Sequence, residues 1–285
     1  GKVNTTGVEI ILGGTPIRSE KFTWSTTFNF ATNRSVIKDL PQDDGRLTLA
    51  FSRIYDSANQ TVFFQVEEGG NVGDIYGTGY LKNADGQFLI TDEGRLIADN
   101  TLKKIGNYNP DFTLGWNNSF NYKDWNTSFL FDWRQGGEIV SRTRALGNVG
   151  GQLAETSFRP DAGIVAQGVY QTTGLPNTVA VTPESYYRQF YDRNHEENNI
   201  YDASFLKLRQ VSIGYTLNLN EGFLGLKNES NMNFSVIGNN LFVITENPHF
   251  DPEQLAVQGN GFVSGVEDMS YATSRSLGFK VSFNF

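Results

Sequence analysis

Pairs of adjacent carboxylates are the first residues in this chain whose types and spacing could carry out acid–base chemistry. They occur at Asp43–Asp44, Glu67–Glu68 and Glu196–Glu197. Catalysis by two carboxylates requires both groups to face one bound substrate. Because successive side chains of a strand point to opposite faces, adjacent acids on a strand make poor catalytic partners. We expect all three pairs to be solvated loop residues.

Few residues of this chain could bind a metal ion or act as a nucleophile. Cysteine is absent, which excludes thiol catalysis and disulfides, and the two histidines, His195 and His249, are far apart and expected at the surface. The segment NADGQFLITDEG (83–94) partly resembles a calcium loop, but its acids do not follow the EF-hand register. Asp-Gly is a common hairpin turn, so turns are favoured there. The sequence therefore predicts no enzyme, no metal and no cofactor.

The composition favours β structure with one solvated face. Hydrophobic residues make up 38% and aromatic residues 13% of the 285 residues, with 30 glycines. Few aliphatic and many aromatic residues are typical of half-solvated strands. The net charge of −8 leaves no basic stripe to neutralise phosphates, so nucleic acid is excluded as a partner. No run of about 18 apolar residues exists, so no transmembrane helix is predicted.

Alternating apolar and polar residues predict about eight β-strands. The clearest is SLGFKVSFNF (276–285), a regular strand that ends on the aromatic Phe285. The same period recurs strongly in five further segments and weakly in two, namely 21–30, 112–122, 125–134, 211–217 and 232–236, and 3–12 and 61–68. A soluble domain usually lets its last residues fray, so this regular end indicates that neighbouring strands hold it.

Strand length and composition favour a membrane barrel. Several of these segments reach ten residues or more. That is near the roughly 9–11 residues that a tilted strand needs to cross a bilayer. The polar faces are rich in Asn, Ser, Thr and Gly, and aromatics lie near the ends of the apolar faces, as in barrels with interfacial girdles. A secreted β-sandwich has the same alternation and stays open as an alternative.

The connections between the predicted strands are very uneven. A tight turn at Lys123–Asp124 contrasts with long Gly- and Asn-rich segments at 136–203 and 243–272. Short turns on one rim and long loops on the other are typical of outer-membrane barrels. If the last strand ends in the periplasm, both long segments are extracellular and the tight turn is periplasmic. For region 34–110 the sequence does not predict which way each strand crosses the membrane.

A short helix is predicted inside the first long segment, in TPESYYRQFYDR (182–193). Thr182 is a suitable N-cap and Pro183 suits the first turn. The aromatic residues of this helix are candidate ligand contacts, because rings can stack on sugars or on a partner. These candidates are Tyr186, Tyr187 and Tyr191. The simpler alternative is that one helix face packs on the barrel.

Five stretches, in order and spacing, cover most of the chain with a recognisable pattern. They are VEEGGNVGDIYGTGY (66–80), PDFTLGWNNSFNYKDWNTSFLFDWRQGGEI (110–139), ASFLKLRQVSIGYTL (203–217), NFSVIGNNLFVITENPHFDPE (233–253) and the terminal strand. Together they resemble the barrel strands and loops of SusC/RagA-type TonB-dependent outer-membrane transporters. Each stretch alone is a weak signal, and jointly they are specific.

The resemblance implies an all-β fold, a transmembrane antiparallel β-barrel. Residues 1–285 would form its C-terminal portion, about eight strands of a barrel of roughly 22. Family members carry an N-terminal plug domain and a TonB-contacting segment, and no part of this chain resembles either. The opening GKVNTTGVEI reads like mid-protein sequence, so the chain is expected to be a piece of a longer protein. Phe285 would serve as the assembly signal that is read in the terminal strand.

The resemblance also implies a function and a set of partners. The function is energised import of oligomeric nutrients, either glycans or peptides, across the outer membrane of a Gram-negative bacterium of the Bacteroidetes type. The implied partners are a SusD-like surface lipoprotein that acts as a lid, the TonB complex reached through the N-terminal part, outer-membrane lipid, and an oligosaccharide or oligopeptide substrate. A secreted lectin- or adhesin-like protein and a passive porin stay open as alternatives.

Overall fold

The computed structural model describes residues 1–48, 62–192, 194–219, 230–247, 249–258 and 261–284. In chain order, its strands are β1 (Lys2–Arg18), β2 (Phe22–Asp39), β3 (Arg46–Thr48), β4 (Val62–Glu67), β5 (Asp74–Tyr80), β6 (Leu89–Ile90), β7 (Ala98–Asn107), β8 (Phe112–Tyr122), β9 (Trp125–Gln135), β10 (Glu138–Ser141), β11 (Ile164–Val165), β12 (Val169–Tyr170), β13 (Ala180–Val181), β14 (Ile200–Asp202), β15 (Phe205–Asn218), β16 (Asn231–Ile244), β17 (Ala256–Gln258), β18 (Gly261–Val263), β19 (Val266–Glu267) and β20 (Ser276–Asn284). The α-helices are α1 (Arg142–Val149) and α2 (Pro183–Phe190), and two 3₁₀ turns span Ala154–Thr156 and Glu196–Asn199. Neither α-helix is long and apolar enough to cross a membrane.

The main sheet of the described residues has seven antiparallel strands in the order β1-β2-β8-β9-β15-β16-β20, which is also their order along the chain. Most of its strands run 9–18 residues, long enough to cross a bilayer at a tilt. Seven of the eight predicted strands lie in this sheet. The eighth, predicted at 61–68, is a strand (β4), but it pairs in a separate four-stranded sheet, β3-β4-β5-β7.

The two faces of the main sheet differ in chemistry, as the alternation predicts. Aromatic rings pack side by side across the strands of one face, for example Phe28 on Trp116 with 5.5 Å between ring centroids. Further along this face, apolar side chains stay open to the surroundings, with Val236 56% and Phe279 67% exposed. An open apolar surface of this extent requires an apolar environment. This face is therefore the one that meets lipid.

All the long connections leave the same rim of the main sheet. Short connections join β1 to β2 and β8 to β9 at the opposite rim, where Lys123 occupies the left-handed region with φ of 52°. The long connections span 40–111, 136–204 and 245–275. The sequence did not predict the direction of the strands in region 34–110. The connection 40–111, which makes up most of this region, leaves the sheet at the same rim as the other two.

The three long connections fold together into one body, which we call the cap. Its core joins apolar side chains of all three connections: Val62, Phe64 and Ile75 from the first, Val140 from the second, and Ala256 and Val266 from the third. Strand β10 pairs antiparallel with β14 and parallel with β19, which ties the second connection to the third. Because each connection supplies part of a shared core, none of them is an independent loop.

Candidate functional site

The inner face of the sheet is built from small hydrogen-bonding side chains at directly opposed positions. Ser25, Ser119, Ser128 and Ser212 form one row across four strands. A neighbouring row contains Gln210, Asn239 and Ser276, in which Gln210 Nε2 donates to Asn239 Oδ1 at 3.1 Å and Asn239 Nδ2 donates to Ser276 Oγ at 3.1 Å. Such a wall offers neutral donors and acceptors to a passing solute, and it favours polar molecules over apolar ones.

A cluster of five charged side chains, which we call the charged bridge, joins this wall to the cap. Its members are Asp132 on β9, Lys207 and Arg209 on β15, and Asp251 and Glu253 in the third connection. Lys207 Nζ lies 2.7 Å from Asp251 Oδ1 and 2.6 Å from Glu253 Oε2. Arg209 donates to Asp132 Oδ2 from Nε at 2.9 Å and to Glu253 Oε2 from Nη1 at 2.7 Å. Charge-assisted hydrogen bonds this short hold the strand and the third connection together.

The two cap carboxylates of the charged bridge both have lowered pKa values. Desolvation alone would raise the pKa of Asp251, but hydrogen bonds from Lys207 and Thr273 outweigh it and hold that pKa below its ordinary value. Desolvation opposes ionisation of Glu253 as well, and its bonds from Arg209 and Lys207 hold its pKa below the ordinary value. Asp251 and Glu253 are therefore both ionised at neutral pH.

A second polar link ties the third connection to the second. His249 Nε2 lies 2.7 Å from Glu155 Oε2, and Arg144 bonds the same carboxylate. The guanidinium carbon of Arg144 lies 3.9 Å from the centre of the Tyr201 ring, a cation–π contact. The sequence placed His249 at the surface, and its side chain is partly covered there, with 21% exposed. His195 is also largely covered, between Asp192 and the Tyr80 ring.

The predicted carboxylate pairs differ in burial, and in the pair Glu67–Glu68 the first residue contacts Arg46 at 3.1 Å while the second is exposed. Asp43 and Asp44 are exposed, as expected. Glu196 is fully buried and accepts a hydrogen bond of 2.7 Å from Asn199, so its assignment as a solvated residue is wrong. Its neighbour Glu197 pairs with Lys82 at 2.7 Å. None of these acids lies in a group of three or more His, Cys, Asp and Glu side chains that could hold a metal ion, among the residues described.

The segment 83–94 forms two successive turns, as predicted. Backbone bonds close them between Asn83 and Gln87 and between Thr91 and Arg95. Gly86 and Gly94 both have φ of 80° there, a conformation that glycine adopts without strain. The asparagine and threonine side chains accept backbone N–H groups within each turn, so the polar residues of this segment serve the turns.

Helix α2 begins where the sequence predicts, with Thr182 Oγ1 accepting from the Ser185 amide at 3.2 Å. Tyr187 is buried and donates its hydroxyl to the Phe158 carbonyl at 2.8 Å. Tyr186 is half-buried and stacks on Phe190 at 5.7 Å. Desolvation raises the pKa of both Tyr186 and Tyr191. These tyrosines pack within the cap, and their role as ligand contacts stays a prediction.

Phe285, the predicted assembly signal, lies outside the described residues. Its strand, β20, pairs with β16 through Asn284, where Asn284 Nδ2 donates to Asn231 Oδ1 at 2.9 Å. Among the described residues, the other edge of β20 and the outer edge of β1 are unpaired.

A polar cleft of about 540 Å³ lies where the inner wall meets the cap. Its walls combine the upper end of β2, the chain before β8 and the glycines that follow β9. Its polar side chains include Asn33, Ser35, Asn109, Asp111 and Glu138. Sequence reasoning missed both this cleft and the charged bridge. The Asp-Pro-Glu motif at 251–253 was the one available signal, because two acids that flank a proline in a structured loop need partners.

These features define a class of protein: a membrane-spanning antiparallel wall with an aromatic outer face, a polar inner face and a folded cap on one rim. Comparison with known proteins agrees with this class. The chain is 29% identical to TonB-dependent receptor P3 of Formosa agariphila, over 100% of the chain and 29% of that protein. It is 25% identical to TonB-dependent receptor P39 of the same organism, over 99% of the chain and 30% of that protein. No family model matches the chain.

Solved structures share the fold. The RagAB peptide transporter superposes with a TM-score of 0.59 at 18% identity, over 99% of this chain and 29% of that chain. The RagAB peptide importer in its open–open state gives a TM-score of 0.61 at 16% identity, again over 99% of this chain and 29% of that chain. The resemblance to SusC/RagA-type TonB-dependent transporters is confirmed, and the chain has the fold of the wall of an outer-membrane β-barrel. It spans about 30% of the length of the relatives it matches.

Proposed function

We propose that this chain supplies the C-terminal wall section and part of the extracellular cap of a TonB-dependent importer of oligomeric nutrients. The two-faced sheet with its cap on one rim carries the proposal. Its outer face suits lipid, and its inner face suits polar solutes too large for a diffusion porin. The role is one of transport and not of catalysis.

The unpaired edges of β1 and β20 support the idea that the wall continues beyond the described strands. Unpaired backbone N–H and C=O groups are costly in a bilayer, so a membrane-spanning sheet must close on itself. Seven strands are too few to surround a lumen that holds a plug. In the whole protein, further strands would complete the barrel, and a plug and a TonB-contacting segment would seal and energise it.

The proposed substrate is an oligosaccharide or an oligopeptide, delivered under a SusD-like lipoprotein lid that sits on the cap. The Ser, Thr and Asn side chains of the wall support either class, because both oligosaccharides and oligopeptides present many hydrogen-bond donors and acceptors. The proposal of a lipoprotein lid is based on the family resemblance alone. Both the substrate class and the lid are open to direct measurement.

The proposal is tested by measuring uptake in a deletion strain that is complemented with the full-length gene. Labelled oligosaccharides and oligopeptides of several sizes are supplied to this strain, to the deletion strain and to a strain that lacks TonB. We expect uptake of one class only, and its loss without TonB. Uptake that persists without TonB would make the protein a passive porin. Recovery of the folded protein from the culture medium without detergent would favour the secreted, lectin-like alternative.

A further inference from the structure

The lipid-facing side of the sheet contains two polar side chains directly opposite each other. Thr26 on β2 pairs with Asn118 on β8, and both lie on the aromatic face. Asn118 is only 1% exposed. The pair lies between two aromatic rungs of the same two strands, Trp24 opposite Phe120 and Phe28 opposite Trp116. Polar groups on a lipid-facing surface are costly unless they are bonded, so their presence here requires an explanation.

Two indoles bond this polar pair reciprocally, each across the boundary between β2 and β8. Trp24 Nε1 donates to Asn118 Oδ1 at 3.0 Å, and Trp116 Nε1 donates to Thr26 Oγ1 at 2.9 Å. Each indole also stacks on the phenyl ring opposite it, with interplanar angles of 8° and 7°. The indoles therefore cover the polar pair from lipid while they satisfy one atom of each side chain.

Stability alone does not account for Asn118. Its amide nitrogen Nδ2 has no hydrogen-bond partner among the described residues. An apolar side chain of similar size would fill the same space without that cost. The asparagine at position 118 is therefore better explained by the alternative strand registers that the polar pair excludes than by a gain in stability.

The pairing of β2 with β8 has a register that no turn fixes. Short turns set the registers of β1 with β2 and of β8 with β9, whereas residues 40–111 separate β2 from β8. Both strands carry aromatic residues at alternate positions, so a slip by two residues keeps every side chain on its proper face. The apolar pattern by itself does not distinguish these registers.

We propose that Thr26 and Asn118, with their two indole donors, select the register of β2 against β8. A slip of two residues in one direction sets Asn118 opposite Phe28 and leaves Thr26 opposite Phe120. The reciprocal bonds are then lost, and two polar groups face lipid separately. A single buried asparagine fixes register in coiled coils by the same physical means.

The absence of cysteine from the chain permits a direct test by oxidative cross-linking in the full-length, membrane-assembled protein. Thr27→Cys combined with Asn117→Cys reports the native register, in which these residues are paired on the inner face. Thr27→Cys with Ser119→Cys, or with Gly115→Cys, reports a slip of two residues in either direction. Paired residues lie within the reach of a disulfide, and slipped ones do not.

In the otherwise unchanged protein, we expect only the cross-link to position 117. In the variant Thr26→Val/Asn118→Leu, we expect the cross-links to position 119 or 115 to rise roughly tenfold or more, as two discriminating hydrogen bonds are removed. The matched control is Thr23→Ala/Asn121→Ala, a polar pair on the inner face, which should leave the native cross-link alone. An assembled Val/Leu variant that cross-links only to position 117 would overturn the proposal.

Two further variants keep the proposal testable if the Val/Leu variant does not assemble. The exchange Thr26→Asn/Asn118→Thr retains the polar pair, so it must assemble in the native register; loss of assembly would contradict the proposal. The relocation Thr26→Trp/Phe28→Thr moves both the hydroxyl partner of Asn118 and its indole donor by two residues, and it should shift the cross-link from position 117 to position 119. Unshifted cross-linking in the relocated variant would also contradict it.

Discussion

Lys207 and Asp251 are separated by 44 residues in sequence, yet their charged atoms lie 2.7 Å apart at the top of the inner wall. The side chain of Lys207 is 3% exposed and that of Asp251 is 8% exposed. The contact therefore joins a barrel strand to the third connection of the cap in a site that water scarcely reaches. The hydrogen bond from Lys207 also helps to lower the pKa of Asp251.

Removing the lysine should release that segment. We predict that Lys207→Met leaves Asp251 and Glu253 without their shared cation, at a cost of roughly 3–5 kcal/mol, as for other buried pairs that lose one partner. Limited proteolysis of the assembled protein should then cut within 245–275 faster than in the unchanged protein. The control is Lys280→Met, since Lys280 lies on an exposed stretch of β20. Equal cleavage rates for the two variants would show that the charged bridge does not hold the segment.

Acid should loosen the same segment. The pKa values of Asp251 and Glu253 are both lowered, so the bridge contributes its full stabilisation above the ordinary carboxyl values and loses it as pH falls through the lowered ones. We predict constant amide-exchange protection of 249–255 between about pH 5 and 8 and a loss of protection below roughly pH 4. The variant Asp251→Asn/Glu253→Gln should lack this transition. Loosening on raising the pH from 5 to 8 would contradict the assignment.

The terminal strand separates the lipid face from the inner face. Val281 lies opposite Phe234, and Lys280 opposite Ser235 on the other side of the sheet. We predict that Val281→Arg strongly reduces the assembled barrel, since an arginine on a lipid face costs roughly 2–4 kcal/mol near the bilayer midplane. Lys280→Ser should have little effect. Heat-modifiable gel mobility of the full-length protein measures the folded fraction, and the reverse ranking would mean that the faces are exchanged.

The cap tyrosines can be tested as structural or ligand-contacting residues. Thr182→Ala should destabilise α2 by about 1 kcal/mol through loss of its N-cap. Tyr187→Phe removes only the bond to the Phe158 carbonyl. We predict that both variants lower the protease resistance of the cap and leave the half-saturating substrate concentration for uptake unchanged. A changed half-saturating concentration in Tyr187→Phe with normal protease resistance would instead make Tyr187 a substrate contact.

Surface proteolysis tests the orientation. Protease added to intact cells should cut within the cap segments 40–111, 136–204 or 245–275 and spare the turn at Lys123. All three segments leave one rim of the sheet and Lys123 lies at the other. In isolated outer membranes, where both sides are accessible, the exposed Lys123 turn should also be cut. Cleavage of intact cells confined to Lys123 would invert the orientation.

The period of two in the sequence predicted the barrel strands well because it reflects a local property, the alternation of lipid and lumen contacts. It failed at 61–68, where β4 has the same alternation but pairs within the cap. Strand period reports that a segment is extended, and it carries no information on which sheet the segment joins. Region 34–110 was ambiguous for the same reason.

The charged bridge could not be predicted, because its members on β15 and in the third connection are distant in sequence. Lys207 is flanked by Leu206 and Leu208, and nothing near it indicates two carboxylates that lie 44 and 46 residues away. The helix cap at Thr182 was predictable, since all of its partners lie within one turn. Contacts between long connections depend on the folded cap, and a single sequence does not encode them in any local pattern.

The shared core of the cap has a consequence for the order of biogenesis. Val62 and Phe64 of the first connection are covered by Ala256 and Val266 of the third, so the apolar side chains of the first are shielded only after β16 has been placed and the chain has returned toward β20. A barrel that lacks its third connection therefore leaves apolar side chains of the first connection uncovered. The cap core is complete only when the chain has passed through its last long connection.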